Sequence, residues 1–244
     1  TYDLRQWLPA SEREKVPAGK VVQTCDCAPE LPVDGAHGPY PVVVFIHGTA
    51  GFRTQSLALT QHWASRGFVV LSADHPKIVL GDALQLNLGS DQPGDAKKLL
   101  AAVTKLDPAL AFLEGAVDPT QLAVIGHSAG GLALSKLGSV AGVRVLVPMA
   151  ARGVDPAHPV TSTLVLGGEE DGTVKFEEQQ KGYDSSPNAK RLVGLKKAGH
   201  LAFSDLCALG ADGQGIFEIA KTYKVSFPPG TEGLFEKLAK DGCG

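Results

Sequence analysis

The chain has 244 residues, enough for one ordinary α/β domain and too few for two comfortable ones. Its 43% hydrophobic and 20% charged residues describe a packed core rather than a disordered or fibrous chain. Lys and Arg number 23 against 26 Asp and Glu, a formal charge of −3 with no basic excess, so nucleic acid is not an expected partner. Apolar runs such as Val42 to Ile46 fall well short of the ~20 residues of a membrane span.

Residues 1–20 are polar and lack clear periodicity, with Pro9, Pro17 and Gly19, and read as a leading arm. Val21 to Thr24 forms a first short strand. Pro41 to Ile46 is a continuous β-branched and aromatic run ending in His47-Gly48, the pattern of a strand buried on both faces. Thr54 to Arg66 reads as a helix stopped by Gly67, and Phe68 to Ser72 as the next strand. The Gly-, Asp- and Asn-rich segment 74–94 is too long for a simple connection and reads as a binding loop. Asp95 to Glu114 is helical, with a break near Asp107-Pro108. Strands then follow at Gln121 to Ile125, Val143 to Pro148, Ser162 to Leu166 and Lys190 to Leu195. Leu132 to Val140 and Leu234 to Lys240 are helical. Strands alternating with helices imply a mostly parallel sheet with right-handed crossovers, an α/β fold in one domain spanning 1–244.

Ser128 lies in Gly126-His127-Ser128-Ala129-Gly130, between an apolar strand and a helix. The Gly-x-Ser-x-Gly pattern alone is weak, but in this place it is a sharp strand-to-helix turn that exposes a nucleophilic hydroxyl. The plainer role, a Ser that only caps the following helix, stays open. A dinucleotide fingerprint is not supported, since Gly-x-Gly-x-x-Gly is absent. A serine hydroxyl needs a base, and the base needs an orienting group. Asp171 follows a strand in Gly167-Gly168-Glu169-Glu170-Asp171-Gly172, with Glu169 and Glu170 as rivals. His200 follows the last strand in Gly199-His200-Leu201, and no other histidine occupies a late strand end. The order Ser128, Asp171, His200 matches one of the folds that build this triad. Thr49, after the strand-end glycine, and Ala129, after the serine, are the expected backbone N–H donors to an oxyanion.

These residues resemble the α/β-hydrolase superfamily from about residue 40 to 240. Phe45-Ile46-His47-Gly48-Thr49-Ala50-Gly51-Phe52-Arg53-Thr54, followed by Trp63-Ala64-Ser65-Arg66-Gly67-Phe68-Val69-Val70, is similar to the branch of platelet-activating-factor acetylhydrolases, cutinase-like polyester hydrolases and dienelactone-hydrolase-like esterases. The resemblance implies a cofactor-free, metal-free ester hydrolase acting on small-molecule or polymeric esters through Ser128, His200 and Asp171, with Thr49 and Ala129 as the oxyanion hole. Two departures stand out. Polyester hydrolases of this branch usually carry Met after the nucleophile and an aromatic beyond the next strand, where this chain has Ala129 and Ala150-Ala151. Dienelactone hydrolases use a Cys nucleophile where this chain has Ser128. Amide cleavage and a non-catalytic binding protein on the same scaffold remain alternatives.

Only a short connection joins the strands ending near Met149 and starting near Ser162, so no cap domain is expected and the site should be open. Ala50, Phe52, Arg53, Leu201 and Phe203 are the candidate substrate-binding rim; Arg53 and Lys77 could meet an anionic group, though a surface salt bridge is the commoner role for them. Residues 207–230 form an insertion before the C-terminal helix. The four cysteines are Cys25, Cys27, Cys207 and Cys243. Cys207 with Cys243 is the preferred pair, a Cys25–Cys27 bridge is expected to be strained, and free thiols are the plain alternative. An even count favours export to an oxidising compartment, secreted or periplasmic, over the cytoplasm, and a monomer is expected.

Overall fold

The computed structural model describes residues 1–210, 213 and 215–243, without the side chains of residues 232, 239 and 243. The first segment is docked, which corrects the expectation of a polar arm. β1 (Tyr2–Asp3) pairs antiparallel with β2 (Val22–Gln23), enclosing a 3-10 turn over Leu4–Trp7 and α1 (Ala10–Arg13). Leu4, Trp7, Val16 and Val21 are buried. Their spacing fits neither a helical nor a strand period, so hydrophobic patterning does not reveal this packed face.

The chain then alternates: β3 (Tyr40–Ile46), α2 (Leu57–Ala64), β4 (Val69–Ser72), α3 (Leu80–Leu84), α4 (Gln92–Thr104), β5 (Val117–His127), α5 (Ala129–Ala133), β6 (Val143–Met149), β7 (Ser162–Gly168), α6 (Phe176–Ser185), β8 (Lys190–Leu195), α7 (Gly215–Thr222) and α8 (Glu232–Cys243). The six strands β3 to β8 form one parallel sheet in the order β4-β3-β5-β6-β7-β8. This is the expected α/β architecture.

Strand β3 shows why its apolar run is unbroken. Val42, Val44 and Ile46 face one side and pack with Leu100 and Val103 of α4, while Val43 and Phe45 face the other, where Trp63 of α2 covers them. Each such fully buried side chain contributes about 1.5–3 kcal/mol of transfer free energy, before the entropy of ordering it is subtracted. Helix α4 begins where Asp91 accepts a hydrogen bond from the Gly94 N–H, with Pro93 in its first turn.

A third apolar cluster covers the loops at the carboxyl edge of the sheet. In it Leu4 and Trp7 of the first segment meet Phe52, Leu201, Ile219 of α7 and Val225. The described residues of 207–230, among them Leu209, Ile219 and Val225, therefore pack as part of a roof over the loops that follow β3 and β8.

Cys25 and Cys27, two of the four candidate cysteines, are joined as a disulfide, with their Cα atoms 5.2 Å apart. Cys207 is also disulfide-bonded, and the side chain of its expected partner, Cys243, lies outside the described residues. No helix among the described residues is long and apolar enough to cross a membrane.

Candidate active site

Four loops at the carboxyl ends of β3, β5, β7 and β8 build the site, as parallel α/β sheets favour. Ser128 leaves β5 with φ +54° and ψ −117°, a conformation that costs a non-glycine residue roughly 1–3 kcal/mol. The turn is possible because its flanks are glycine: a Cβ on Gly126 would run into the Gly130 carbonyl, and one on Gly130 into the Ile46 carbonyl. The Ser128 N–H donates to the Met149 carbonyl at 2.9 Å, which ties the turn to β6.

Beyond β8, His200 opens a single 3-10 turn and is 3% exposed. Its Nε2 lies 2.8 Å from Ser128 Oγ, and its Nδ1 lies 3.1 and 3.0 Å from the two carboxylate oxygens of Asp171. An ionised carboxylate only accepts, so Nδ1 carries the proton and Nε2 is left to accept from the serine hydroxyl. Asp171 is buried and takes three further hydrogen bonds, from the Thr173 and Val174 N–H groups and from the Gln179 amide. The rivals Glu169 and Glu170 are exposed.

The turn after β3 closes through a Gly51 N–H bond to the Gly48 carbonyl at 3.1 Å, with Ala50 at φ +56° and its N–H given to Ile78. Thr49 stands exposed at the head of that turn, and its N–H has no backbone acceptor among the described residues. Ala129 is the first residue of α5, where an N–H has no intrahelical partner.

A buried hydrogen-bond chain holds these loops together. The Gly48 N–H donates to Gln55 Oε1, the Gln55 amide donates to His127 Nδ1, and His127 Nε2–H donates to the His200 carbonyl at 2.9 Å. Burial, reinforced by His200 alongside, pushes the His127 pKa down to about 3, so the ring is neutral and can serve as donor and acceptor at once. His47 behaves similarly: burial lowers its pKa to about 4, and it bridges the Gly48 carbonyl and the His75 N–H.

Next to Thr49 and Leu201 lies an apolar cavity of about 100 Å³, walled by Leu4, Phe52, Leu84 and Ala220. Ala50 and Leu201 line it. Phe52 lines it from within, fully buried and stacked on Trp7 at 4.4 Å, and is not an exposed rim residue. Phe203 belongs to the core cluster of Phe45 and Val147 and does not line the cavity. Arg53 takes the alternative role of a salt-bridged surface residue. Its guanidinium is engaged by Asp74 and Gln6 and lies over the Trp7 ring, which turns it from the cavity.

Residues 18–78 match the family described as platelet-activating factor acetylhydrolase, isoform II. A bis(hydroxyethyl) terephthalate hydrolase from Streptomyces coelicolor is 29% identical over 144 residues, which cover 57% of this chain and 43% of that protein. The chain thus spans under half the length of this curated relative. With the parallel sheet and the Gly-x-Ser-x-Gly elbow, these matches decide the fold. It is an α/β-hydrolase fold, resembling that of the serine esterases.

Three residues around the site escape sequence reasoning. Gln55 lies inside the expected helix Thr54 to Arg66, yet α2 starts only at Leu57, which frees Gln55 to turn inward. Gln179 is the one buried residue of α6, an otherwise polar helix with no apolar stripe to announce it. Asp241 lies beyond the expected end of the last helix and accepts hydrogen bonds from the His200 N–H, the Gly172 N–H and the Thr173 hydroxyl. An Asp-Gly pair at a helix end, next to a cysteine, is the only signal of it in the sequence.

Proposed function

We propose that this protein hydrolyses carboxylic esters through an acyl-enzyme on Ser128. The observation that carries the reading is the continuous hydrogen-bonded line from Ser128 Oγ through His200 to Asp171. Oγ attacks the ester carbonyl carbon while its proton passes to His200 Nε2, and the carbonyl oxygen becomes an oxyanion facing the Thr49 and Ala129 N–H groups. Each such donor contributes about 2.7–4 kcal/mol to the barrier reduction. The intermediate collapses, the alkoxide takes the proton from His200 and leaves as alcohol, and Ser128 is acylated. Water then attacks the acyl carbon, giving its proton to His200. Collapse returns that proton to Ser128 and releases the carboxylic acid. Asp171 holds the imidazole in the required tautomer and stabilises the transient imidazolium.

The cavity supports a substrate with one compact apolar group. Its volume of about 100 Å³ is smaller than the ~150 Å³ in which an apolar cavity holds benzene. A short aliphatic chain therefore fits this wall better than the aromatic diester named for the Streptomyces relative.

The test is hydrolysis of p-nitrophenyl esters from acetate to palmitate by the wild-type chain and Ser128→Ala. Turnover that peaks at a short chain and vanishes in Ser128→Ala supports the reading. Turnover that survives in Ser128→Ala assigns the chemistry elsewhere.

A further inference from the structure

The buried carboxylate of Asp241 is an acidic group at the site that the proposed chemistry leaves unused. It comes from the end of α8, where Asp241 and Gly242 leave helical geometry and Gly242 adopts φ +116°. That departure lets the chain lie directly against the base loop. A Cβ at Gly199 would clash with the Gly242 N and the Asp241 carboxylate, and one at Gly242 with the Leu201 N.

Asp241 is 8% exposed, and both of its oxygens are used. Oδ1 accepts from the His200 N–H at 2.9 Å, both oxygens accept from the Gly172 N–H at 3.1 Å, and Oδ2 accepts from the Thr173 hydroxyl at 2.7 Å. His200 is the base, and Gly172 and Thr173 directly follow Asp171. One carboxylate therefore fastens the loop bearing the base to the loop bearing its orienting acid, at the backbone of each. Burial alone raises the Asp241 pKa, but the bonds from His200, Thr173 and Gly172 outweigh it and hold the carboxyl below the usual carboxylate range. It is thus ionised at neutral pH and can accept all of these bonds.

We infer that Asp241 is a positioning residue that sets the reach of His200 to both Ser128 and Asp171, so that the C-terminal segment is part of the catalytic architecture. The inference rests on the ester-hydrolase reading for its kinetic effect and on geometry alone for its structural one. Carboxylate hydrogen bonds to two loop backbones exceed what a helix cap at this place requires, since neither loop belongs to α8.

Asp241→Asn and Asp241→Ala in the full chain test it. The readouts are kcat and KM on p-nitrophenyl butyrate, the melting temperature, and the low-field proton resonance of His200 Nδ1–H. The amide keeps one acceptor oxygen but turns an N–H₂ towards donors, so Asp241→Asn should lose about tenfold in kcat and Asp241→Ala about a hundredfold, with KM within twofold, as expected for displaced catalytic groups. In Asp241→Asn the low-field proton should broaden or shift upfield while the protein remains folded at the assay temperature. An unchanged kcat in folded Asp241→Asn with the resonance intact overturns the inference, as does a kcat loss that only tracks the unfolded fraction. If Asp241→Ala does not fold, Asp241→Asn decides. If the wild-type chain cleaves no ester, the functional reading fails separately, and the proton resonance still tests whether Asp241 sets the His200 geometry.

Discussion

Gln55 and His127 meet at 2.9 Å, and through that bond the turn carrying Thr49 is coupled to the elbow carrying Ser128. Replacing Gln55 by leucine strands the Gly48 N–H and His127 Nδ1 in a dry interior, each at about 1–3 kcal/mol. Gln55→Leu should therefore lower the melting temperature by several degrees, at roughly 2–4 °C per kcal/mol for a chain of this size. It should also reduce kcat on a short-chain ester, because the oxyanion turn loses its anchor. A calorimetric scan with parallel kinetics checks both. A melting temperature equal to that of the wild type would show that the bond contributes no stability.

The neutral buried histidines set a direction for acid stability. His127 and His47 have folded-state pKa values near 3 and 4 against an ordinary 6.5. Between those values the unfolded chain binds more protons than the folded one, so acid favours unfolding. The stability they contribute is complete above about pH 6.5 and falls as the pH drops towards 4 and 3. Chemical-denaturation midpoints measured from pH 7.5 to 4.5 should decrease, and replacing His47 by glutamine should flatten part of that slope. A midpoint constant over this range would contradict the assignment of neutral, buried rings.

Arg53 is structural on this account. Its ion pair with Asp74 is partly exposed, and such pairs contribute about 0–1 kcal/mol. Arg53→Met should leave the ratio of kcat/KM between a neutral and an anionic ester within about twofold of the wild type, with a small loss of stability. A selective loss on the anionic ester would return Arg53 to the substrate.

The cavity gives a specificity prediction. Ala220 on α7 lines it, so Ala220→Leu fills space that the account reserves for the substrate chain. Turnover of p-nitrophenyl butyrate should fall by tenfold or more relative to acetate, and an unchanged chain-length profile would place the substrate elsewhere. The larger side chain enters a void, so the cost should lie at the low end of the 1–3 kcal/mol usual for overpacking.

How much of this was legible in the sequence follows from which forces leave a pattern. The sheet was legible because Val42 to Ile46 is buried on both faces and so reads as unbroken apolar sequence. Ser128 was legible because the elbow demands glycines at fixed offsets. The roof was not, since Leu4, Trp7, Val16 and Val21 are buried by tertiary contact along an irregular path. Asp241 was hidden for a related reason. Its partners His200 and Gly172 lie 41 and 69 residues away, and hydrogen bonds between distant loops impose no local period. The Cys25–Cys27 disulfide was one of several pairings that four cysteines allow, and spacing alone does not select among them.

The central claim is that Ser128 is a nucleophile activated by His200. Incubation with a fluorophosphonate ester, followed by intact-mass measurement and peptide mapping, tests it most directly, since it needs no knowledge of the natural substrate. The account predicts one covalent adduct, mapped to Ser128, absent in Ser128→Ala and much slower to form in His200→Ala. Folded wild-type protein that takes no adduct, or takes it on another residue, would contradict the account.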